Sequence, residues 1–209
     1  MSGCIIETEA DLAEGAAWLS AREPRLAAVL ARVGPLPLRR REGGFGALLE
    51  AIVSQQVSLA SAAAVLGRLR ASGLVEAVAV AGAEEELLRG CGLSRPKIRY
   101  LKGLAAAGID YDGLRVLPDD VVVARLMALP GIGRWSAEIY AMFALGRADV
   151  LAAGDLALQE AARLAFALAE RPNERALRAL AEPWSPWRGV AARALWAYYR
   201  AVKQREGIW

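Results

Sequence analysis

Leu129-Pro130-Gly131-Ile132-Gly133-Arg134-Trp135 decides how this chain reads, because it sets a helix stop, a glycine turn and a helix start side by side. Upstream, Val121 to Ala128 is apolar at helical spacing and follows Pro118-Asp119-Asp120, where an Asp can cap the first free amides. Pro130 ends that helix, since it lacks the amide a helix needs and crowds the residue before it. Gly131 and Gly133 are expected to supply backbone angles closed to other residues and to leave the amides of the turn uncovered. From Arg134 a second amphipathic helix is expected, with Trp135, Ile139, Met142 and Phe143 on one face. Bare glycine amides beside a helix N-terminus make an anion site suited to a backbone phosphate. Taken alone, the same pattern is also an ordinary corner in an all-α core.

A lone carboxylate follows roughly twenty residues later, in Ala153-Gly154-Asp155, a separation that suits one helix from Arg134 to about Gly146 and a loop. Asp155 is also a good helix N-cap, and the two roles are compatible because a helix N-terminus favours an ionised carboxylate.

Residues outside this region set the frame. With 209 residues, 56% of them hydrophobic, the chain can bury a substantial core. The net charge is only +3, but a sequence pI of about 9.1 allows local basic clusters. Histidine is absent, which removes the usual general base, and Cys4 and Cys91 are too few for a zinc or iron–sulfur site. The N-terminus lacks a basic region followed by an apolar signal core, and charges interrupt each later apolar run, so a cytoplasmic protein is expected.

Helical periodicity dominates: Phe45 to Leu69, Glu84 to Arg89, Ile98 to Ala107, Leu156 to Glu170, Glu174 to Ala181 and Arg188 to Lys203 all carry it. Cys4 to Thr8 and Val75 to Val80 are the only strand-like runs, and Gly73 and Gly82 bracket the second as a helix. Glycines and prolines divide the chain into roughly ten short helices, an all-α fold.

Together, Leu129 to Trp135 and Asp155 resemble the helix-hairpin-helix motif and downstream aspartate of the base-excision DNA glycosylase superfamily, and most resemble its DNA-3-methyladenine glycosylase II, alkylation-repair branch. Ala51-Ile52-Val53-Ser54-Gln55-Gln56-Val57-Ser58 is similar to the family's segment near the DNA lesion, and Gly92-Leu93-Ser94-Arg95-Pro96-Lys97 to its Gly-Leu-Ser-x-x-Lys turn. The resemblance covers roughly Phe45 to Trp196, in the family's order. It implies two helical lobes with the active-site cleft between them. One spans 38–146, with the helix-hairpin-helix at about 121–145, and the other combines 1–37 with 147–209.

The resemblance also implies the chemistry. Asp155 would stabilise positive charge developing on the sugar and help position water. At about 4 Å and an effective dielectric near 20, such a carboxylate contributes about 4 kcal/mol, roughly a thousandfold in rate. That suits a cationic leaving group such as 3-methyladenine or 7-methylguanine better than a neutral base that needs a general acid. Aromatic faces would attract that cation; Trp135 leads, with Tyr140, Trp187 and Trp184 behind it, and core packing is the alternative for each. An aromatic that lines the pocket in one branch of the family, four residues after the tryptophan, is here replaced by Ile139, with Tyr140 next to it.

Strand-cleaving members carry a lysine where Trp135 stands, and other branches carry a four-cysteine cluster. Trp135 therefore implies a monofunctional enzyme that leaves an abasic site, and the missing four-cysteine motif implies no iron–sulfur cluster. Extruding the base requires a wedge. Gln56 matches that position, Gln55 is its alternative and Ser58 lies beside them, while a polar helix face explains the pair equally. Gly131, Gly133, Arg134 and Lys97 are expected at DNA phosphates, with Arg95, Arg99 and Arg188 nearby, and Arg39-Arg40-Arg41 is a further candidate for which a solvated charge run is the alternative. A sodium or potassium ion on the backbone carbonyls of Met127, Leu129 and Ile132 is further implied. The expected partner is double-stranded DNA with alkylated bases, bound by a monomer. A non-catalytic DNA-binding module and a helical protein-interaction scaffold are the alternatives.

Overall fold

A computed structural model describes residues 4–203. Among them are twelve α-helices, two short 3-10 turns and one isolated bridge between Ile5 and Arg147. The strand-like Cys4 to Thr8 is thus reduced to that single bridge, because Thr8 starts a helix. Its hydroxyl accepts from Asp11 N–H at 3.3 Å, and the Asp11 carboxylate accepts from Thr8 and Glu7 N–H at 2.8 Å each. These bonds hold the Asp11 carboxyl below its usual range.

The helices are α1 (Glu9–Arg22), α2 (Pro24–Val33), α3 (Phe45–Ser54), α4 (Leu59–Ala71), α5 (Ala77–Gly82), α6 (Glu85–Gly90), α7 (Arg95–Ala106), α8 (Asp119–Met127), α9 (Arg134–Phe143), α10 (Leu156–Ala165), α11 (Glu174–Leu180) and α12 (Arg188–Lys203). None among the described residues is long and apolar enough to cross a membrane. The chain divides into two compact units, Met1–Arg40 with Ala141–Trp209, and Arg41–Tyr140. The division therefore falls within α9, against expected boundaries at 37/38 and 146/147. The shift has a packing cause at each end. The Arg40 guanidinium donates to the Ile6 carbonyl at 2.7 Å and to the Ala144 carbonyl at 3.3 Å, and Ile6 N–H donates to the Gly146 carbonyl at 2.7 Å. These bonds tie the residues just before 147 to the N-terminal segment. Arg40 is accordingly a half-buried structural tie, and the Arg39-Arg40-Arg41 run is not simply solvated.

In the first unit α12 is the centre, packed on α1, α2 and α10. Gly189 through Trp196 are all buried, and the alanines and glycines of this stretch let neighbours approach closely. A Cβ on Gly15 of α1 would lie 2.6 Å from the Trp187 ring, and one on Gly189 2.8 Å from the Ala148 carbonyl. Leu12, Leu19, Leu26, Leu158 and Leu195 complete this core at 2% exposure or less, each contributing about 2 kcal/mol of burial.

In the second unit α7 packs on α3, α5 and α6, with Leu48, Ile52, Val80, Leu88 and Leu101 between them. Of the run Val75 to Val80, the residues from Ala77 on form α5, while Val75 and Glu76 precede it and Gly82 is its last residue. The long run Phe45 to Leu69 is not one helix. Gln55 is extended, Gln56 has a left-handed φ of 56°, and the Ser58 hydroxyl caps α4 by accepting from Ser61 N–H at 3.2 Å. Likewise α10 stops at Ala165, short of the expected Glu170, with Ala167 left-handed (φ 50°) two residues later.

Candidate active site

The turn between α8 and α9 is built on Gly131. Its φ is 80°, and a Cβ there would lie 2.6 Å from Cγ and Cδ2 of Tyr100. Only glycine meets both conditions, the backbone sign and the close approach of a ring. Gly133 differs from the expectation. It has no left-handed angle; instead nothing lies within 4 Å of its Cβ position, so the backbone at the start of α9 is open. Pro118, not an Asp, stands at the N-cap of α8, with Asp119 and Asp120 in its first turn. Arg134 is half-exposed, its guanidinium 3.8 Å from the Glu138 carboxylate, and Trp135 is half-buried. Beyond Trp135, α9 is buried on every side, Ser136 and Glu138 included, rather than amphipathic.

The segment expected beside the lesion joins this turn. Gln55 Nε2 donates to the Gly131 carbonyl at 2.8 Å, which ties Gln55 to the hairpin and leaves the neighbouring Gln56 as the exposed, left-handed residue of the α3–α4 connection. Val57, at 44% exposure, and Leu59, at 65%, lie beside it. Ser58 is committed to capping α4.

Lys97 is put to a use the sequence did not suggest. Its ammonium donates to the Val53 carbonyl at 2.6 Å, satisfying an orphan acceptor in the last turn of α3, and burial pulls its pKa below the usual lysine range. Lys97→Met is expected to cost about 1 kcal/mol of stability, measurable as a lower midpoint in urea; an unchanged midpoint would remove the capping role. Arg99 lies over the Tyr100 ring at 5.4 Å. Arg188 forks onto Asp149 with bonds of 2.8 and 2.7 Å, a structural ion pair where a phosphate contact was expected.

The other expected pocket aromatics are engaged elsewhere. The Tyr140 hydroxyl accepts from Gly44 N–H at 2.8 Å at the start of α3, and burial raises its pKa. Trp187 packs against Gly15 in the core of the first unit, and Trp184 stacks on Phe166 with centroids 5.5 Å apart.

Asp155 is the N-cap of α10. Its Oδ1 accepts from Leu158 N–H at 2.8 Å, and the residue is 8% exposed. The same oxygen accepts from Trp196 Nε1–H at 3.0 Å. The sequence did not single out Trp196. It lies on α12, 5% exposed, with its ring tilted 33° against Phe143 at 5.9 Å. Arg193 backs that ring, its guanidinium 4.6 Å from the Phe143 centroid and bonded to the Gly189 and Met142 carbonyls at 3.1 and 2.9 Å. Burial and the nearby Arg40 and Arg39 charges push the Arg193 pKa down to about 10, which leaves it charged at neutral pH. A buried carboxylate with fixed donors can stabilise a cation forming nearby and orient a water.

Residues 49–186 match the HhH-GPD superfamily base excision DNA repair protein family. The chain is 28% identical to DNA-3-methyladenine glycosylase 1 of Schizosaccharomyces pombe over 82% of its own length and 79% of that protein's. It is 27% identical to DNA-3-methyladenine glycosylase 2 of Escherichia coli over 71% and 55% of the two chains. Among solved structures, a DNA-3-methyladenine glycosidase from Bacillus halodurans superposes with a TM-score of 0.82, at 28% identity, over 98% of this chain and 95% of that one. The 3-methyladenine DNA glycosylase of S. pombe in complex with abasic DNA follows at a TM-score of 0.75 and 27% identity, over 91% and 97%. With its left-handed glycine hairpin, its capped aspartate and this match over most of its length, the chain belongs to the HhH-GPD superfamily of base excision DNA repair proteins.

Proposed function

We propose that the protein is a monofunctional DNA glycosylase that excises alkylated purines from duplex DNA, with Asp155 as its catalytic carboxylate. The observation that carries this reading is the buried Asp155 carboxylate, held by two N–H donors in a chain of this superfamily whose relatives bear the names of 3-methyladenine glycosylases. A purine alkylated at N3 or N7 is cationic while attached. When the N-glycosidic bond breaks, the base leaves with the bonding pair as a neutral molecule and positive charge appears on the sugar. Asp155 stabilises that charge; water adds to the sugar carbon and gives up a proton. Protonation of the leaving base is not required.

On the same reading the turn at Gly131 to Arg134 grips a backbone phosphate, the open backbone at Gly133 and the half-exposed Arg134 supporting that role. Trp135 bears no amine, so no Schiff base forms there and the product is an abasic site in an uncut strand. Gln56 is the wedge that enters the stack, since Gln55 is tied to the hairpin. A sodium or potassium ion fits the carbonyls of Met127, Leu129 and Ile132: these are hard oxygen donors, and the Leu129 oxygen, which accepts from Ile132 N–H at 3.2 Å, has a second lone pair. When bound, such an ion supplies positive potential to the phosphate. The enzyme acts as a monomer.

The test is a base-release assay on duplex DNA treated with a methylating agent. Free methylpurine and alkali-labile abasic sites are expected in an otherwise intact strand. Gel retardation without release would instead identify a non-catalytic DNA-binding module.

A further inference from the structure

We propose that Trp196 is a positioning residue for Asp155, fixing the plane of its carboxylate for base release; the proposal rests on the reading of Asp155 given above. Capping α10 needs one acceptor for one amide, and Leu158 N–H alone provides it. The indole N–H of Trp196 arrives from α12, 41 residues further along the chain, and converges on the same Oδ1. Donors from two different helices restrain rotation of the carboxylate about its Cβ–Cγ bond more than the cap does by itself. The plane of the acid is then referenced to α12 as well as to its own helix.

The donor is itself immobilised. Trp196 is buried, its ring rests on Phe143, and Phe143 is covered by the Arg193 guanidinium, which is held by the Met142 and Gly189 carbonyls. Trp196 also walls a recess together with Phe143, Arg193 and Arg200. This series of contacts transmits rigidity from the junction of α9 and α12 to the acid, the support that a reacting group needs to stay within a fraction of an ångström of its productive position.

A buried indole N–H needs an acceptor for structural reasons alone, and the experiment separates that role from positioning. Trp196→Phe keeps an aromatic ring against Phe143 and removes the N–H, together with the second ring of the indole. Single-turnover release of 7-methylguanine is expected to fall about ten- to a hundredfold, with the Kd for the same duplex close to that of the parent and the thermal midpoint lowered only by the few degrees that the lost ring atoms cost. Trp196→Met, which fills much of the site and has no N–H or O–H donor, should lose rate in the same way and serves if the first variant does not fold. A full single-turnover rate in a folded variant overturns the proposal. So does a rate loss matched by an equal loss of DNA affinity or by a large drop in the midpoint, since that is the signature of a structural role. Asp155→Asn, run in parallel, keeps the two readings apart. If Asp155→Asn is fully active, the assignment of the acid falls; if it is inactive while Trp196→Phe is fully active, the positioning role alone falls.

Discussion

Asp155→Asn should abolish base release while leaving the fold and DNA binding close to those of the parent. The amide oxygen of Asn can still accept from Leu158 N–H and from Trp196 Nε1–H, so the cap of α10 and the tie to α12 survive. What disappears is the negative charge. A carboxylate about 4 Å from a forming sugar cation contributes about 4 kcal/mol at an effective dielectric near 20, so the single-turnover rate should drop about a thousandfold. The discriminating comparison is kcat against Kd on one methylated duplex. Parent-like release by the variant would sink the assignment of Asp155, and a comparable loss of DNA affinity would show that the residue acts in binding.

Gly131→Ala should have the largest effect on stability. The φ of 80° costs a residue with a Cβ about 1–2 kcal/mol. The new methyl would also meet Cγ and Cδ2 of Tyr100 at 2.6 Å, close to the root of that side chain, where it has little freedom to swing away. Overpacking of this kind adds about 1–3 kcal/mol, for a total of about 2–5 kcal/mol and a fall of roughly 4–20 °C in Tm at this chain length. DNA affinity should fall with it, because the backbone that must move is the backbone of the hairpin. Calorimetry decides: a variant melting within a degree or two of the parent would mean the turn tolerates a side chain and is not shaped as described.

The hairpin was legible because its signals are local. A proline that cannot continue a helix, a glycine whose left-handed angle only glycine accepts cheaply, and helical periodicity on either side all act within a few residues. The break at Gln55 to Ser58 was not, because apolar residues recur at helical spacing straight through it and only the left-handed angle at Gln56 reveals the turn. Choosing between tryptophans lay beyond periodicity. Trp187 faces α1 because Gly15 leaves room for it, whereas Trp196, about two and a half helical turns further on, faces Asp155. Both are buried aromatics in sequence, and tertiary packing alone distinguishes them. The same holds for charges: Lys97 and Arg188 carry the composition of phosphate ligands but hold a helix carbonyl and an aspartate, and Arg193, a cation at an α12 position that packing buries, has no local signature.

The bond from Gln55 Nε2 to the Gly131 carbonyl has one more consequence. Two segments far apart in sequence share a single hydrogen bond, so neither can open on its own without breaking it. Slow conformational excursions of the α3–α4 connection and of the glycine turn should therefore be correlated events of one cooperative element. Lengthening either segment, although both lie at the surface, would alter the exchange behaviour of the other.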